Sequence, residues 1–338
     1  VPICILMGVV TIIYTSLGGL RAVVFTDVIQ SGILFGGGLL TVVLVANELG
    51  GVRELWPGEW LTHWEEPNWG YDPEARMTFV SMFLAVFCWH TCTAGSDQVV
   101  IQRYFATRDV HAARRVLVIN LVADFFAMLL MAMVGLALIA YFTANPGMFG
   151  ENQSLTNNSD QLFPRFISEG LPVGLTGLVV SGLLAAAMSS LSSGMNSTSS
   201  VITSDFISRL HSDESDEKSK IVIARWVSGL IGVVVVALSL IVDRVPGNLF
   251  EVANKVVNLF VSPLFVLFFL AMFVRFSNTS GAWCGVLTSI TIAVLIAFWE
   301  EITGHKGISF LWIMPAAFVG GTLVGTVASF VLRTKQET

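Results

Sequence analysis

Charged residues are scarce in this chain. Asp, Glu, Lys and Arg make up 12% of its 338 residues, whereas 54% are hydrophobic. The mean hydropathy is +0.75. A soluble domain usually carries about 25% charged residues. Because a single core cannot hide this much apolar surface, the composition excludes an ordinary soluble domain and predicts a polytopic membrane protein.

Cysteine is also sparse, and the start of the chain lacks two familiar features. The cysteines are Cys4, Cys88, Cys92 and Cys284, and no two of them are spaced as CxxC. Neither a zinc site nor a disulfide framework is therefore indicated, and we expect small packing residues. The chain begins at Val1 without a charged segment before its first apolar run, so no signal peptide is predicted. We expect a piece whose N-terminal part is absent.

Long apolar runs fill most of the chain. A membrane helix needs about 20 mostly apolar residues. Nine segments meet this condition, at about 2–18, 24–48, 77–96, 116–142, 173–208, 221–242, 248–274, 281–299 and 308–332. The fifth segment is too long for one span, so we expect it to extend past the membrane.

The basic residues predict how these segments are oriented. Lys and Arg collect on the cytoplasmic side of membrane proteins. With the N-terminus outside, twelve basic residues lie inside and five outside, the five being Arg53, Arg76, Arg165, Arg244 and Lys306. We therefore predict an external N-terminus, a cytoplasmic C-terminus, and external loops at 49–76, 144–172 and 300–307.

Asp27 and Asp124 are acidic residues inside the apolar segments. A charge at the bilayer centre costs about 2.5–3.5 kcal/mol on insertion scales, so each one needs a physical reason. Asp27 lies near the cytoplasmic end of the second segment and either reaches headgroup water or pairs with a partner. Asp124 lies deep in "VINLVADFFAMLLMAM", where we expect it to face a cavity or a partner.

A polar stretch, "HTCTAGSDQ" at residues 90–98, ends the third segment. A helix that breaks inside the membrane presents free backbone groups to ions and substrates. The alternative is an ordinary helix end that Ser96 and Asp97 cap. His90 is either a buried hydrogen-bonded histidine or a ligand.

Residues 181–200, "SGLLAAAMSSLSSGMNSTSS", contain eight serines in an apolar chain. Helical neighbours are three or four residues apart, which groups Ala186, Ser189, Ser190 and Ser193, with Ser192 beside them. Hydroxyl and carbonyl oxygens suit hard cations. The alternative is close helix packing, with the hydroxyls bonded to carbonyls of the preceding turn.

The quoted serine stretch, extended as "LAAAMSSLSSGMNSTSSVITSDF", resembles the signature helix of the sodium:solute symporter family. Three further stretches resemble other parts of that family in the same order: "YTSLGGLRAVVFTDVIQ", "SDQVVIQRYFATRD" and "NLFEVANKVVNLFVSPLFVLFFLAMF". The resemblance implies an all-α polytopic membrane protein with an inverted-repeat (LeuT-like) symporter fold of about nine transmembrane helices, lacking its first core helices. Residues 1–338 would form one membrane domain, with core helices four to ten at about 1–275 and peripheral helices at about 280–333.

The same resemblance implies two sodium sites. The residues that match the family's main site are Ala186, Ser189 and Ser190. Those that match a second site, found in some members, are Asp27, Ser189, Ser192 and Ser193.

The resemblance also implies a substrate site, although the motifs match its residues less closely than those of the sodium sites. Its expected residues are His90, Thr93, Ser96, Asp124 and Asn254. The chain departs from the sugar-transporting branch. That branch has an aromatic gate where Thr93, Ala94 and Gly95 stand here, a Lys where Asp124 stands, and a Gln where Asn254 stands.

Taken together, these features predict sodium-coupled symport of a small polar organic solute across the plasma membrane. The solute would be sugar-like, sialic acid-like or another organic acid. The partners are sodium, the solute and the lipid bilayer, with no nucleic acid and no enzymatic chemistry. The alternative is a symporter-like sensor domain of a signalling protein.

Overall fold

The structure, a computed structural model, describes residues 2–58, 64, 66–148, 159–172, 174–207, 217–240 and 249–332, and these residues form helices without strands. The helices are α1 (Pro2–Leu49), α2 (Phe79–Ser96), α3 (Gln98–Phe105), α4 (Val110–Ala144), α5 (Ser159–Arg165), α6 (Leu175–Val201), α7 (Glu217–Ser239), α8 (Leu249–Phe273), α9 (Thr279–Ala297), α10 (Trp299–Thr303) and α11 (Ile313–Val331). Short 3-10 turns stand at Val52–Leu55, Pro146–Met148 and Phe310–Trp312, and π-helical turns at Phe166–Gly170 and Ile202–Ile207.

Eight helices among the described residues are long and apolar enough to cross a membrane. They account for all nine predicted segments, because α1 is 48 residues long and contains the first two. The predicted fifth segment corresponds to α6 and its π-helical continuation, which together run over Leu175–Ile207. The prediction of an all-helical membrane protein is therefore confirmed.

Gly19 divides α1 into two arms. Its φ of 58° and ψ of −157° are not helical values, and glycine adopts them without a steric penalty. Past Gly19, Asp27 meets Ser189 of α6, and Gly37 meets Val179 further toward the start of α6. The second arm of α1 therefore runs antiparallel to α6.

Helices α6 and α7 are also antiparallel. The Ser199 hydroxyl donates to the Ala224 carbonyl over 2.8 Å. One turn back along α6, the Met195 side chain packs against Gly232, which lies two turns further along α7.

The first arm of α1 runs antiparallel to α7. Gly8 packs against Val236, and Gly232 packs against Ile12. Because α7 itself opposes α6, the first arm runs parallel to α6 while the second arm opposes it. The chain thus reverses at Gly19, and α1 supplies two spans.

The described helices belong to two compact units. One contains Val1–Glu65 and Arg114–Asp243, and the other contains Glu66–Ala113 and Arg244–Thr338. In the first unit, apolar residues of α1 and α4 form a core with the segment around Phe166; Val45, Ala137 and Phe142 are almost fully buried there. The assignment of residues 1–338 to a single domain stays a prediction.

In the second unit, α9 and α11 cross at glycines. A Cβ on Gly285 would lie 2.9 Å from the Gly321 carbonyl oxygen and 3.1 Å from the Gly325 Cα, and Gly281 lies against Ser329. Glycine four residues apart on each helix lets backbones approach closely, which drives helix association where lipid supplies no hydrophobic force.

Cysteines act as packing residues in this unit, as the sequence predicts. Cys88 and Cys92 lie four residues apart on α2, where they pack against Phe265 of α8 and Met314 of α11. All four cysteines are free thiols.

Two loops predicted to share the external side are in contact. Lys306 lies 3.7 Å from the Glu74 carboxylate, and the Ser309 hydroxyl donates to the Arg76 carbonyl over 2.7 Å. At the other end of this unit, Asn278 donates to the Ser329 carbonyl over 3.1 Å. The end of the 49–76 loop and the segment at Lys306–Ser309 therefore lie on the same side of this unit, and the assignment of that side to the exterior stays a prediction.

Parts of some predictions lie outside the described residues. Arg209, Arg244, Arg333 and Lys335, which enter the orientation count, are among them. So are the middle of the 144–172 loop, residues 59–63 of the 49–76 loop, and the C-terminus itself.

We predict that Gly285→Leu lowers the stability of the protein. The added side chain would meet the backbone of α11, which cannot move aside as a flexible side chain can. Overpacking of this kind costs typically about 1–3 kcal/mol. Thermal unfolding in detergent should show a clear fall in melting temperature. Gly135→Leu is the matched control, since a Cβ at Gly135 meets nothing within 4 Å. An equal melting temperature for both variants would contradict the prediction.

Candidate cation site

The serine helix α6 packs closely on the second arm of α1. A Cβ on Gly182 would lie 3.3 Å from the Ile33 carbonyl oxygen, and a Cβ on Gly37 would lie 3.6 Å from the Val179 Cα. Missing side chains at Gly37 and Gly182 thus bring the two backbones together. One result is that short serine side chains on α6 can reach α1.

Asp27 of α1 is the residue that these serine side chains contact. The Ser189 hydroxyl donates to Asp27 Oδ1 over 2.5 Å, and the Ser193 hydroxyl donates to Oδ2 over 3.4 Å. All three residues are half-buried and lie in the same compact unit. Of the two alternatives for Asp27, the structure thus shows a carboxylate paired with α6.

The neighbouring serines use their hydroxyls differently. Ser192 is fully buried and donates to the Ser189 carbonyl over 3.0 Å rather than to Asp27. Ser190 is exposed and donates to the Ala186 carbonyl over 3.2 Å. Some hydroxyls of the serine helix are therefore bonded to their own helix, as the packing alternative expects, and others reach α1, while cation binding stays a prediction.

The arrangement suits a hard monovalent cation. Two carboxylate oxygens and two hydroxyl oxygens stand within hydrogen-bond distance of one another, and a hydroxyl that donates one proton keeps lone pairs for an ion. Oxygen ligands of this kind are those that hard cations take. Within the described part of the chain, no three His, Cys, Asp or Glu side chains cluster as a metal-binding group. A cation here would therefore be held by one carboxylate together with neutral oxygens.

Sequence reasoning missed two residues near this cluster. The Tyr14 hydroxyl donates to the Met188 carbonyl, the residue before Ser189, over 3.4 Å. The Gln30 side-chain oxygen is buried and has no hydrogen-bond partner in the structure. Gln30 follows Asp27 by three residues, so helical spacing alone was a signal for it. Nothing in the sequence indicated the pairing of Tyr14.

Three of the predicted substrate residues lie on α2. Thr93 donates to the Trp89 carbonyl over 2.7 Å, and Ser96 donates to the Cys92 carbonyl over 2.8 Å. Ser96 is buried, whereas Thr93 and His90 are half-buried. The two hydroxyls therefore satisfy carbonyls of their own helix.

The predicted interruption after α2 is present. Helix α2 ends at Ser96, Asp97 has extended backbone angles, and α3 begins at Gln98. The Asp97 carboxylate caps α3 by accepting from the Val99 amide over 2.8 Å. The break is thus a capped junction, which combines features of both alternatives.

The remaining predicted substrate residues lie on other helices. Asp124 is half-buried on α4, and the two residues that follow it, Phe125 and Phe126, are exposed. It belongs to the unit that contains α6. Asn254 is half-buried on α8 and belongs, with the α2 residues, to the other unit.

Comparison with known proteins adds the decisive observation. The model of the sodium:solute symporter family matches residues 3–289, which is most of the chain. The chain belongs to the sodium:solute symporter family. It is 31% identical over 303 residues to the sodium/sialic acid symporter NanT of Aliivibrio fischeri, covering 87% of this chain and 58% of that one. It is 27% identical to mouse sodium/glucose cotransporter 4, covering 86% and 46%.

A solved structure agrees with this family fold. It shows the substrate-bound outward-open state of a Na+-coupled sialic acid symporter and reveals a novel Na+ site in that protein. The TM-score is 0.78 at 26% identity, over 98% of this chain and 67% of the other. The predicted symporter fold is therefore confirmed, and the chain is an integral membrane protein of a transporter family rather than of an enzyme family. It spans about half the length of the curated relatives that it matches.

Proposed function

We propose that the protein containing this chain is a sodium-coupled symporter that carries a small polar organic solute across the plasma membrane. The observation that carries the proposal is the Asp27 carboxylate held by two hydroxyls of the serine helix. An apolar helix accepts a carboxylate at a cost, and a bound cation offsets that cost. Sodium and solute would each bind more tightly in the presence of the other, because such coupling is reciprocal.

For the main sodium site we propose Ala186, Ser189 and Ser190. They occupy one turn of α6, where the Ala186 carbonyl and the Ser190 hydroxyl are already 3.2 Å apart. Ser190 is exposed and Ser189 half-buried, so both oxygens are open to a ligand from outside the helix.

For a second site we propose Asp27, Ser189, Ser192 and Ser193. The contacts of Asp27 with Ser189 and Ser193 support it directly. Ser192 would have to turn its hydroxyl away from the Ser189 carbonyl to join, so we assign it the weakest role in this set.

The solute we propose is sugar-like, sialic acid-like or another organic acid. Two relatives are named as sodium/sialic acid symporters, at 31% and 29% identity, and two as sodium/glucose cotransporters, at 27% and 26%. These sequence identities are close to one another, so they favour none of these solutes over the others. His90, Thr93, Ser96 and Asn254 are proposed contacts, and Asp124 is proposed separately on α4. A thermal-shift panel of sugars, amino acids and carboxylates, run in sodium and in potassium, selects the solute for uptake.

We predict that replacing both Ser189 and Ser190 by Ala raises the sodium concentration needed for half-maximal uptake. An unmet polar contact costs about 1–3 kcal/mol, which corresponds to roughly 5- to 150-fold for each ligand lost. Uptake of the selected solute into proteoliposomes, measured against external sodium, gives the value. Ser181→Ala on the same helix is the control, since its hydroxyl is exposed and donates only to the Gly177 carbonyl. Unchanged sodium dependence in the double variant would mean that these serines only pack, and uptake without sodium would favour another function.

We predict that Asp27→Asn lowers the Hill coefficient for sodium from near two toward one. The amide has no negative charge to hold a second cation, while the main-site oxygens remain. Asp109→Asn is the control, because Asp109 caps α4 through the Ala112 amide and Asn caps equally well. A wild-type coefficient of one, with one sodium carried per solute, would rule out the second site.

We propose an external N-terminus for this chain and a cytoplasmic C-terminus, from the excess of basic residues in the inner loops. A single cysteine at Glu74 should then react with an impermeant thiol reagent on intact cells, whereas one at Arg108 should not. Both positions are exposed, so accessibility within the protein does not decide the result. Labelling at Arg108 without labelling at Glu74 would reverse the orientation.

A further inference from the structure

The surface shared by α1 and α7 carries two adjoining hollows. A cavity of about 250 Å3 lies beside the turn at Gly18 and Gly19, and we call it the polar cavity because Thr15, Ser228 and Arg225 are among its lining residues. An apolar groove of about 460 Å3 continues from it. The two share Ser16, Leu17 and Arg225. The groove alone lies within the range of about 300–1,000 Å3 that ligand pockets occupy.

The polar cavity contains hydroxyls that lack partners. Thr15 is 2% exposed and Ser228 is 4% exposed, and neither hydroxyl oxygen has a hydrogen-bond partner in the structure. The buried Ser16 oxygen has none either. Because a buried hydroxyl without a hydrogen bond is unfavourable, three of them lining one cavity indicate a ligand with several acceptor atoms.

Arg225 indicates that this ligand carries a negative charge. Its side chain is exposed and lines both hollows. A guanidinium binds phosphate oxygens through paired, charge-assisted hydrogen bonds. A cation beside three hydroxyl donors therefore fits a phosphate group.

The apolar groove indicates which chemical group is attached to the phosphate. Leu17 is 65% exposed and Trp226 is 77% exposed, and the groove continues along α1 and α7 past Ile12 to Gly229. Ile12 on α1 and Gly229 on α7 lie further from the turn than the residues of the polar cavity do. An apolar channel that leads away from a phosphate-binding end matches an acyl chain.

The depth of the two hollows agrees with a lipid. The chain reverses at Gly19 between two spans, so the polar cavity stands at a membrane surface. The apolar span of α7 begins at Ile221, one turn before Arg225. Trp226 is of the residue type favoured at the membrane–water interface.

We propose that the α1–α7 surface binds one anionic phospholipid. The phosphate contacts Arg225, and the hydroxyls of Thr15, Ser16 and Ser228, whose oxygens are buried in the structure, turn toward it. One acyl chain follows the groove toward Gly229. A free phosphate would fill only the polar cavity, whereas a lipid fills both.

Native mass spectrometry of the purified protein tests this with phosphatidylglycerol, phosphatidylcholine and glycerol phosphate as probes. We expect one phosphatidylglycerol to be retained in preference to phosphatidylcholine, and glycerol phosphate not to displace it. Arg225→Gln should weaken phosphatidylglycerol binding roughly fivefold, the factor for one basic residue near an anionic surface. Gly229→Leu should weaken it as well, because its Cβ has room but the longer side chain enters the groove.

Matched controls separate the site from general effects. Arg115→Gln removes another exposed arginine, and Gly135→Leu adds the same side chain to an open position on α4. Both should bind lipid as the wild type does. Arg225→Lys, which keeps the charge, should retain part of the binding and shows that loss in Arg225→Gln is not misfolding.

Three results would overturn the proposal. The first is equal retention of the two lipids. The second is an unchanged affinity in Arg225→Gln. The third is displacement of the lipid by glycerol phosphate, which would identify a site for soluble phosphate instead.

Discussion

A carboxylate inside an apolar helix must be met by polar atoms, and in this protein the serine helix meets Asp27. Inserting such a charge costs about 2.5–3.5 kcal/mol. A hydrogen bond to a charged group contributes about 1.5–3 kcal/mol, so the 2.5 Å bond from Ser189 and the longer 3.4 Å contact from Ser193 offset part of this cost, and a bound cation would offset the rest. The same bonds fix α1 and α6 to one another. The candidate cation site and the register of α1 against α6 therefore depend on the same interaction.

That interaction depends on how closely the helices approach. The absence of side chains at Gly37 and Gly182 brings the backbones of α1 and α6 within van der Waals contact. A slip of one helical turn moves a residue by 5.4 Å, which exceeds the reach of a hydrogen bond. Ser189 would then lose Asp27. Small residues in these helices thus determine the register as well as the distance, as they do at Gly285 in the other unit.

The membrane spans and the serine helix could be predicted from the sequence, because both follow from local composition and helical spacing. The apolar runs had the length of a membrane helix, and Ser189 and Ser193 are four residues apart. The direction in which each hydroxyl points could not be predicted from the sequence. Ser192 and Ser193 are neighbours in sequence, yet only Ser193 donates to Asp27, because that choice depends on where α1 lies around α6. For the same reason Tyr14, which bonds to a backbone carbonyl of α6, left no signal in the sequence.

Ser189 connects the two proposed sodium sites. A hydroxyl has one proton and two lone pairs, and the Ser189 proton is directed at Asp27. Its lone pairs remain for a main-site ion, and donation to a carboxylate makes the oxygen a better ligand. An ion at Asp27 would instead require that proton to turn away. Two cations that share one oxygen also repel each other, and the negative charge of Asp27 is what offsets this repulsion. Occupancy of either proposed site must therefore change the affinity of the other, and by linkage the change is equal in both directions.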